Sequence, residues 1–495
     1  MSSRTVEHDH VYPHRVTSTP GGSSATMNER SDVSGDKDLW LALPSATVIV
    51  LNHNGLGHLE ACFSSLRQLV YPAGRLELML ADNASTDGSV EWMHHKFPEV
   101  VIVQHPENYG FSKGNNLAAA KARGQVVAFL NNDMRVDQQW LVELVRPLVA
   151  DKEVVSSGSK ILTWDGKQID FAGGAMNFYG FGYQVGWGEN ESRDAGSSPL
   201  EFKPTISVCG GAMLIRREEF LQVGGFDEDF FAYYEDLDLG WRLWVLGYKV
   251  VIDPRSLVYH FHHGYWGKVA TEKKRVFYER NSLLTIIKNY DDANLRRVLP
   301  VALLLLARRA YLSADLSEVT FRAGFTPQRT YLQSSESTTQ PTATEPRSQS
   351  FSQRRSMGYY LTWLWRKLRR AEWGTIYRMV QSILEQKGSQ FKCRMRNWLM
   401  VRLVSNDLSL VPREALSYVV AADDVISLYA KMLEKRRLIQ AHRKRTDEEV
   451  FVHFRLPLQV SYFTGEYLAT QRYLERLFEI DKLFMQPMRE QDEHG

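Results

Sequence analysis

The densest group of chemically capable residues is an acidic and aromatic segment in the middle of the chain. Residues 230–239 read FFAYYEDLDL, so that Glu235, Asp236 and Asp238 stand among aromatic side chains. Aromatic walls keep water from a carboxylate, which raises its pKa and makes it a better general base. Acidic residues are also common at helix N-termini, where they interact with the helix dipole, and this structural role stays open for each of them.

Polar residues also end several short apolar runs in the first half of the chain. The runs TVIVLN, LELMLAD and VVAFLNND lead into Asn52–Asn54, Asp82–Asn83 and Asn131–Asp133. Nearly continuous apolar runs that alternate with helical spacing are typical of a parallel sheet covered on both faces, so we predict a Rossmann-like α/β domain. Open α/β sheets bind ligands beyond the carboxyl ends of their strands, where these polar residues fall.

Two common nucleotide sites do not fit the loop after the first run. A dinucleotide fingerprint would follow Gly55 and Gly57 with a third glycine, but Glu60 occupies that position. The chain also lacks the G-x-x-x-x-G-K-[ST] loop of nucleoside triphosphatases. A nucleotidyltransferase would need a basic, glycine-rich loop, and residues 53–59 contain no Lys or Arg.

Further candidates follow from the chemistry of single residues. Asp82 can accept hydrogen bonds from a base or a ribose hydroxyl, and Asp133 suits a hard divalent cation that also binds diphosphate oxygens. His260 begins a run with three histidines in four residues, which raises a metal hypothesis. Gly210 and Gly211 would let the backbone approach a ligand. Each of these residues also has a structural alternative. Asp82 could simply end a strand, Asp133 could stand in a turn, and His260 could be a structural histidine. The two glycines could serve a tight entry into the following strand.

Composition limits the remaining possibilities. The 495 residues exceed what one compact core usually absorbs, so at least two domains are expected. With 60 Lys and Arg against 58 Asp and Glu, the net charge of +2 indicates no nucleic-acid partner. The 3 cysteines lack metal or disulfide spacing, which favours a reducing cytoplasm. The longest aliphatic stretch, residues 298–307, is about half the ~20 residues that span a bilayer.

Changes in composition predict five segments along the chain. A polar stretch between residues 325 and 356 divides the α/β part from a region with amphipathic helical spacing. The predicted segments are a disordered tail (1–43), an α/β domain (44–295), a helical and interfacial segment (296–324), a low-complexity linker (325–356) and a helical C-terminal region (357–495).

Taken together, these motifs resemble a known family. From about Ala46 to Tyr290 the chain resembles inverting family 2 glycosyltransferases of the GT-A fold, close to the rhamnosyltransferase-like members that build bacterial cell-surface polysaccharides. The resemblance rests on an ordered series of motifs, L51-NHN, D82-NASTDGS, N108-YGFSKGNN, L130-NND, G210-GAMLIRR, G224-GFDEDFFAYYEDLDLGWR, H260 and R280-N. It covers roughly half of the chain and implies a GT-A nucleotide-sugar-binding domain with a mainly helical C-terminal extension.

The resemblance also implies roles for individual residues. The implied donor-binding residues are Asn52, Asn54, Asp82, Asn83, Gly110, Asn115, Asn132 and Arg280. The implied catalytic residues are Asp236, as general base, and Glu235 beside it. The implied metal ligands are Asp133 and His260, for Mg²⁺ or Mn²⁺. The implied acceptor-binding residues are Gly210, Gly211 and Tyr234. One departure is Asn131, which stands where the first Asp of the metal motif often lies, so weaker metal binding is expected.

The expected reaction is direct displacement at the anomeric carbon, with Asp236 taking the proton of the attacking hydroxyl. The expected partners are a nucleoside-diphosphate sugar, with rhamnose as one candidate, and a glycan or lipid-linked saccharide. The alternative is a non-catalytic sugar-nucleotide binder or membrane-docking scaffold. Arginines at both ends of the stretch 298–307 leave two locations open, the cytoplasm and the inner face of the plasma membrane.

Overall fold

The computed structural model describes residues 37–191, 202–261, 271–314, 412–462 and 464–485. The chain divides into two compact units, Met1–Leu43 and Pro44–Gly495. In the first unit Lys37–Ala42 forms helix α1, which is the described part of the predicted tail. All elements below belong to the second unit.

Four parallel strands carry the polar clusters found in the sequence. They are β1 (Ala46–Asn52), β2 (Leu76–Asp82), β3 (Val101–Gln104) and β4 (Val126–Asn131), and the helices between them are α2 (Leu56–Leu66), α3 (Ser89–Lys96) and α4 (Gly110–Lys121). In β1 the first five residues are buried, as expected for a strand covered on both faces. Asn52 pairs with Asp82, and Leu51 with Asn131, so the strand ends meet at one edge.

The second half of the sheet is mixed. Its elements are β5 (Met134–Val136), α5 (Trp140–Ala150), β6 (Val154–Thr163), β7 (Ile169–Phe171), β8 (Gly174–Met176), β9 (Gly182–Gln184), β10 (Lys203–Pro204), β11 (Ala212–Arg216), α6 (Arg217–Gln222), α7 (Glu235–Val245) and β12 (Lys249–His260). The strand order is β10-β12-β6-β11-β4-β1-β2-β3, with β5 on β12, β7 on β6, and β8–β9 as a separate hairpin. Strand β12 is continuous from Lys249 to His260, although its register on β6 shifts between Asp253 and Leu257.

The C-terminal region is helical and packs on the sheet domain. Its helices are α8 (Thr271–Asn289), α9 (Asp292–Ser313), α10 (Arg413–Ala441), α11 (Asp447–Phe451) and α12 (Gly465–Leu477). Phe454, beyond α11, meets Trp241 of α7 edge to face with ring centroids 5.0 Å apart. The predicted α/β class with a mainly helical extension is confirmed. The predicted linker (325–356) and Cys393 lie outside the described residues.

The aliphatic stretch 298–307 lies within α9. Val298, Val301 and Leu305 are buried, whereas Leu303 and Leu304 are exposed. Arg309, one of the arginines considered for a membrane surface, is instead buried in an ion pair with Glu279 at 2.6 Å. None of the helices in the described ranges combines the length and the hydropathy that a bilayer-spanning segment requires.

The environment of His453 predicts that the free energy of unfolding depends on pH. Its ring stacks on Trp244 with centroids 3.8 Å apart. Burial, with Arg445 and Arg455 nearby, lowers the pKa of His453 from 6.5 to about 4. The folded protein therefore favours neutral His453, and this stabilisation is complete above pH 6.5 and is lost as the pH falls towards 4. At 1.36 kcal/mol per pKa unit, the loss is ~3 kcal/mol.

We expect His453→Phe, which keeps an aromatic ring on Trp244 but does not titrate, to remove this term. Urea denaturation at pH 7 and pH 4.5 would measure it as a smaller loss of unfolding free energy in the variant than in the wild type. Other titrating groups, such as Asp447, whose pKa burial raises to about 6, are present in both proteins and cancel in the comparison. Equal losses in the two proteins would contradict the assignment.

Candidate active site

The carboxyl ends of β1, β2 and β4 are joined by side-chain hydrogen bonds. Asn52 Nδ2 donates to Asp82 Oδ1 at 3.1 Å, and Asn132 Nδ2 donates to Asn52 Oδ1 at 2.7 Å. Asp82 also accepts from the backbone N–H of Ser85 at 2.9 Å. A Cβ atom at Gly55 would lie 2.1 Å from Asn132 Nδ2, so a larger residue there would displace the Asn132 amide. Asp82 is thus held rigidly at the edge where the sequence predicts the nucleoside.

The other predicted donor residues form the adjacent loops. Asn54 has φ +51° and accepts at Oδ1 from the Thr86 N–H at 2.8 Å. Asn83 Nδ2 donates to the carbonyl of Gly110 at 2.9 Å, and Asn115 Nδ2 donates to that of Phe111 at 3.1 Å. These bonds shape the loops after β1, β2 and β3 into one rim. Contact of these residues with a nucleotide stays a prediction.

Asp133 and His260 are brought together, as the resemblance implies. His260 ends β12, Asp133 lies just before β5, and these two strands pair. The Nε2 atom of His260 lies 3.4 Å from Asp133 Oδ2, while its Nδ1 atom lies 2.8 Å from Asp170 Oδ2. Asp170, on β7, is buried and was not predicted from the sequence. A histidine therefore stands between two carboxylates.

The charges of this group stabilise one another. Burial alone would raise the pKa of Asp133, but the hydrogen bond and the charge of His260 hold it below its ordinary value. Burial would lower the pKa of His260, and Asp133 and Asp170 together raise it instead to about 9. Within the described residues, no group of three or more His, Cys, Asp or Glu side chains is arranged to hold a metal ion. Asp133 and His260 would therefore supply part of a coordination shell.

Asp236, the predicted base, is oriented by two backbone N–H groups. Gly210 donates to its Oδ2 at 2.9 Å, and Leu237 donates to its Oδ1 at 2.8 Å. A Cβ at Gly210 would lie 3.3 Å from the Cβ of Asp236, which is tighter than most such contacts. Burial raises the pKa of Asp236, and the two N–H groups offset part of that rise. The carboxylate is thus fixed in place and made more basic than usual.

Glu235 beside it has a different environment. Its side chain is buried, and its Oε2 atom has no hydrogen-bond partner among the described residues. Burial, with the charge of Asp236 next to it, raises the pKa of Glu235 well above its ordinary value. A neutral Glu235 beside an ionised Asp236 fits such a pair, because two adjacent buried carboxylates do not both ionise easily.

The residues predicted from the R280-N motif lie behind the acidic segment. Arg280 is 9% exposed, and its guanidinium donates to the carbonyl of Phe230 at 2.8 Å. Asn281 Nδ2 donates to the carbonyls of Ala232, at 3.0 Å, and Tyr233, at 2.6 Å. Both residues hold the backbone before Tyr234 and Glu235. The contact of Arg280 with a donor diphosphate, and that of Tyr234 with the acceptor, stay predictions.

A continuous path of contacts connects the predicted carboxylates. The N–H of Asn131, at the end of β4, donates to the carbonyl of Gly211 at 2.9 Å, and the residue before it, Gly210, donates to Asp236. Asn132 reaches Asp82 through Asn52, and the following residue is Asp133. Acidic residues remote in sequence therefore share one edge of the sheet. Sequence reasoning missed Asp170 and Asn281, although Asn281 follows Arg280 in the quoted motif.

The sequence of this edge matches two family models. The model described as "Glycosyl transferase family 2" matches residues 47–221. A model described as "N-terminal domain of galactosyltransferase" matches residues 193–264. The two matches together contain β1 to β4, Asp82, Asp133 and Asp236.

Similar proteins include two bacterial sequences. The O-antigen biosynthesis protein RfbC of Myxococcus xanthus is 34% identical over 208 residues, which are 40% of this chain and 16% of that protein. The N-acetylglucosaminyl-diphospho-decaprenol L-rhamnosyltransferase of Mycobacterium tuberculosis is 28% identical over 233 residues, 43% of this chain and 75% of that protein. The chain spans less than half the length of the first relatives it matches.

Among solved structures, the crystal structure of GalNAc-T7 with UDP, GalNAc and Mn²⁺ is 19% identical. The match covers 57% of this chain and 54% of that chain, with a TM-score of 0.43. The family model, together with the order of strands and polar clusters in the sheet, agrees with the GT-A fold predicted from the sequence. Over residues 47–221 the chain therefore resembles glycosyl transferase family 2, whose model it matches there.

Proposed function

We propose that this protein transfers a sugar from a nucleoside-diphosphate sugar to a hydroxyl group of a glycan or lipid-linked saccharide, with inversion at the anomeric carbon. The observation that supports this proposal most is the fixed carboxylate of Asp236, whose Oδ2 accepts from the N–H of Gly210 at 2.9 Å. Asp82 and Asp133 lie at the same edge of the sheet. In this proposal Asp236 takes the proton of the acceptor hydroxyl as its oxygen attacks. The rigid Asn52–Asp82 pair supports nucleoside binding at the same edge.

Asp133 and His260 would hold a divalent cation, Mg²⁺ or Mn²⁺. A carboxylate and an imidazole on paired strands are suitable donors, and the remaining ligands would be diphosphate oxygens and water. A bound cation would offset the negative charge that develops on the departing nucleoside diphosphate. The proximity of Asp133 Oδ2 and His260 Nε2, which lie 3.4 Å apart, supports this site, and a bound cation would displace the proton from Nε2.

A donor screen tests the proposed function. The purified protein would be incubated with rhamnose, GalNAc, glucose and mannose donors carrying dTDP, UDP or GDP, with and without chelator, and released nucleoside diphosphate would be measured. The L-rhamnosyltransferase relative makes a rhamnose donor the first choice. We expect release from one donor, stimulated by a saccharide acceptor and abolished by chelator. Binding of a donor without release or transfer under any condition would refute the proposal in favour of a sugar-nucleotide binder.

Asp170 is expected to matter for cation binding although it would not touch the cation. Its Oδ2 lies 2.8 Å from His260 Nδ1, so it favours the proton on Nδ1 and leaves Nε2 facing Asp133. Such outer partners of a ligating histidine typically change metal affinity by about 10–100-fold. We expect Asp170→Ala to weaken Mn²⁺ binding by that order, measured by titration followed with electron paramagnetic resonance.

Asp165→Ala is a matched control for this measurement. Asp165 lies between β6 and β7, as an exposed carboxylate that bonds Thr163 and Lys167. We expect its removal to leave Mn²⁺ affinity unchanged. Equal affinities in the Asp170 and Asp165 variants would show that Asp170 does not orient His260.

A further inference from the structure

The backbone that leads to the predicted base is strained. We name residues 227–234, which end where α7 begins, the acidic-aromatic loop. Three of its residues have positive φ angles, which residues other than glycine rarely adopt: Phe231 (+64°), Tyr233 (+69°) and Tyr234 (+64°). Such a conformation is unfavourable and persists only where surrounding contacts hold it. Because Asp236 is only two positions beyond Tyr234, whatever holds this loop also sets the position of its carboxylate.

Helix α10 holds the start of the loop by ion pairs. Lys435 pairs with Asp227, and its Nζ lies 2.7 Å from Asp229 Oδ2. The side chain of Asp227 is 3% exposed and that of Asp229 14% exposed, so these charges lie largely out of water. Lys431, one turn earlier on α10, also reaches Asp229, at 2.7 Å, but its side chain is 57% exposed. Lys435, whose side chain is 30% exposed, is therefore the less exposed of the two lysines.

The ion pairs continue from the loop into α7. Asp227 also pairs with Lys288 of α8, whose side chain is 1% exposed. Lys288 in turn lies 2.8 Å from Asp238 Oδ1, and Asp238 follows Asp236 by two positions on α7. Removing one partner from buried charges is strongly destabilising, because it leaves the other charge uncompensated. The series Lys435–Asp227–Lys288–Asp238 thus links α10 to α7, the helix that carries the predicted base.

A second contact of α10 reaches the far end of the loop. Asp424 Oδ2 lies 3.6 Å from the guanidinium of Arg280. Arg280 donates to the carbonyl of Phe230, and its Nε donates to Asn281 Oδ1 at 2.8 Å. Asn281 holds the carbonyls of Ala232 and Tyr233. Helix α10 therefore holds both ends of the loop. At one end Lys435 supplies the positive charge, and at the other end Asp424 supplies the negative charge that pairs with Arg280.

We propose that α10 is a positioning element of the active site, which places Asp236 by holding the acidic-aromatic loop through Lys435. This inference rests on the proposed function, since it assigns to α10 a role in the same reaction. Helix α10 lies outside the segments matched by both family models, which end at residues 221 and 264. Misplacing a reacting group by about 1 Å can lower a rate by roughly 100-fold. The C-terminal region therefore contributes to turnover without touching the substrate.

The test compares three substitutions on α10 in the full chain. We expect Lys435→Met to lower kcat per donor-binding site by about tenfold or more, with the Kd of the donor changed by less than about twofold. Lys435→Arg, which keeps the charge, should restore most of the lost kcat. Lys431→Met removes a lysine from the same Asp229 in the exposed position, and we expect its kcat to stay within about twofold of wild type. Donor-binding sites would be counted by calorimetric titration.

The outcomes separate positioning from simple stability. Equal kcat in Lys435→Met and Lys431→Met would overturn the proposal. A purely structural lysine would give a different result. Lys435→Met would then lose thermal stability and donor-binding sites, but its kcat per remaining site would be unchanged, and this outcome would also overturn the proposal. If the wild-type chain binds donors but transfers no sugar, the proposed function fails and the positioning role falls with it. Transfer by the wild type with normal kcat in Lys435→Met refutes the positioning role alone.

Discussion

Replacing Asp236 by asparagine is expected to lower turnover by at least about 10²-fold and by up to about 10⁴-fold, the usual contribution of a general base. The amide keeps the size of the side chain and can still accept one backbone hydrogen bond, but it cannot take a proton. The donor should bind with nearly unchanged affinity, because nucleoside recognition is expected at Asp82 and Asn52. Initial rates and calorimetric donor titrations of the two proteins would measure both quantities.

The pH dependence of turnover gives a second reading of the same carboxylate. Burial raises the pKa of Asp236, so the basic form is lost at a higher pH than for an exposed aspartate. As the pH is lowered, the kcat of the wild type should therefore begin to fall at a higher pH than the ordinary pKa of an aspartate. The residual rate of Asp236→Asn should not show this decrease.

Asp229→Asn is not a suitable control, because Asp229 contacts α10. Asp165→Asn serves better, as an exposed carboxylate elsewhere in the domain. Wild-type turnover by the Asp236 variant would exclude it as the base.

The parallel strands and the polar groups at their ends could be predicted because both depend on local sequence. Each strand is a short apolar run, and each site residue of this half follows its strand directly, as Asp82 follows β2. A parallel sheet brings such ends to one edge whatever the order of the strands. The meeting of Asp82 and Asn52 is thus already present in the pattern, and their register pairing confirms it.

The residues that hold the site in place are of another kind. Asp170 is 90 positions from His260, on a strand of three residues inside an irregular segment, and nothing in its local sequence marks it. Lys435 is 208 positions from Asp227. A lysine on an amphipathic helix is usually solvated, so its pairing with a buried aspartate appears only when the two helices and the loop are packed together. Periodicity predicts elements, but it does not predict which charges are buried between them.

The predicted division of the chain into segments also depends on contacts that the local sequence does not show. A polar stretch after residue 325 indicates a boundary, and we predicted a separate helical region beyond residue 357 from it. The described helices beyond it share a hydrophobic core with the sheet domain, in which Phe454 contacts Trp241 and Tyr290. A linker in sequence therefore does not require independence in space. Here the later helices complete the packing around α7.

Replacing Asp133 by asparagine is expected to have the second large effect. Asn131 already stands where the family often has an acid, so Asp133 supplies the negative charge on the Nε2 side of His260. The substitution leaves His260 paired with Asp170 alone and leaves two amides where two acids are common, and hard cations bind neutral oxygens less tightly. We expect Mn²⁺ affinity to fall by at least about tenfold and turnover by roughly 100-fold at limiting Mn²⁺, with partial recovery at high Mn²⁺.

Recovery at high Mn²⁺ distinguishes a lost ligand from a damaged fold. Asp137→Asn is the matched control, since Asp137 lies four residues further on and accepts from the N–H of Gln139 at 2.9 Å, just before α5. The amide oxygen of asparagine can still accept that bond, so we expect Asp137→Asn to leave both stability and Mn²⁺ dependence close to wild type. If Asp133→Asn and wild type show the same Mn²⁺ titration and the same response to chelator, the cation is held elsewhere or is not used. The pair of Asp133 and His260 would then be a structural ion pair that closes β5 against β12.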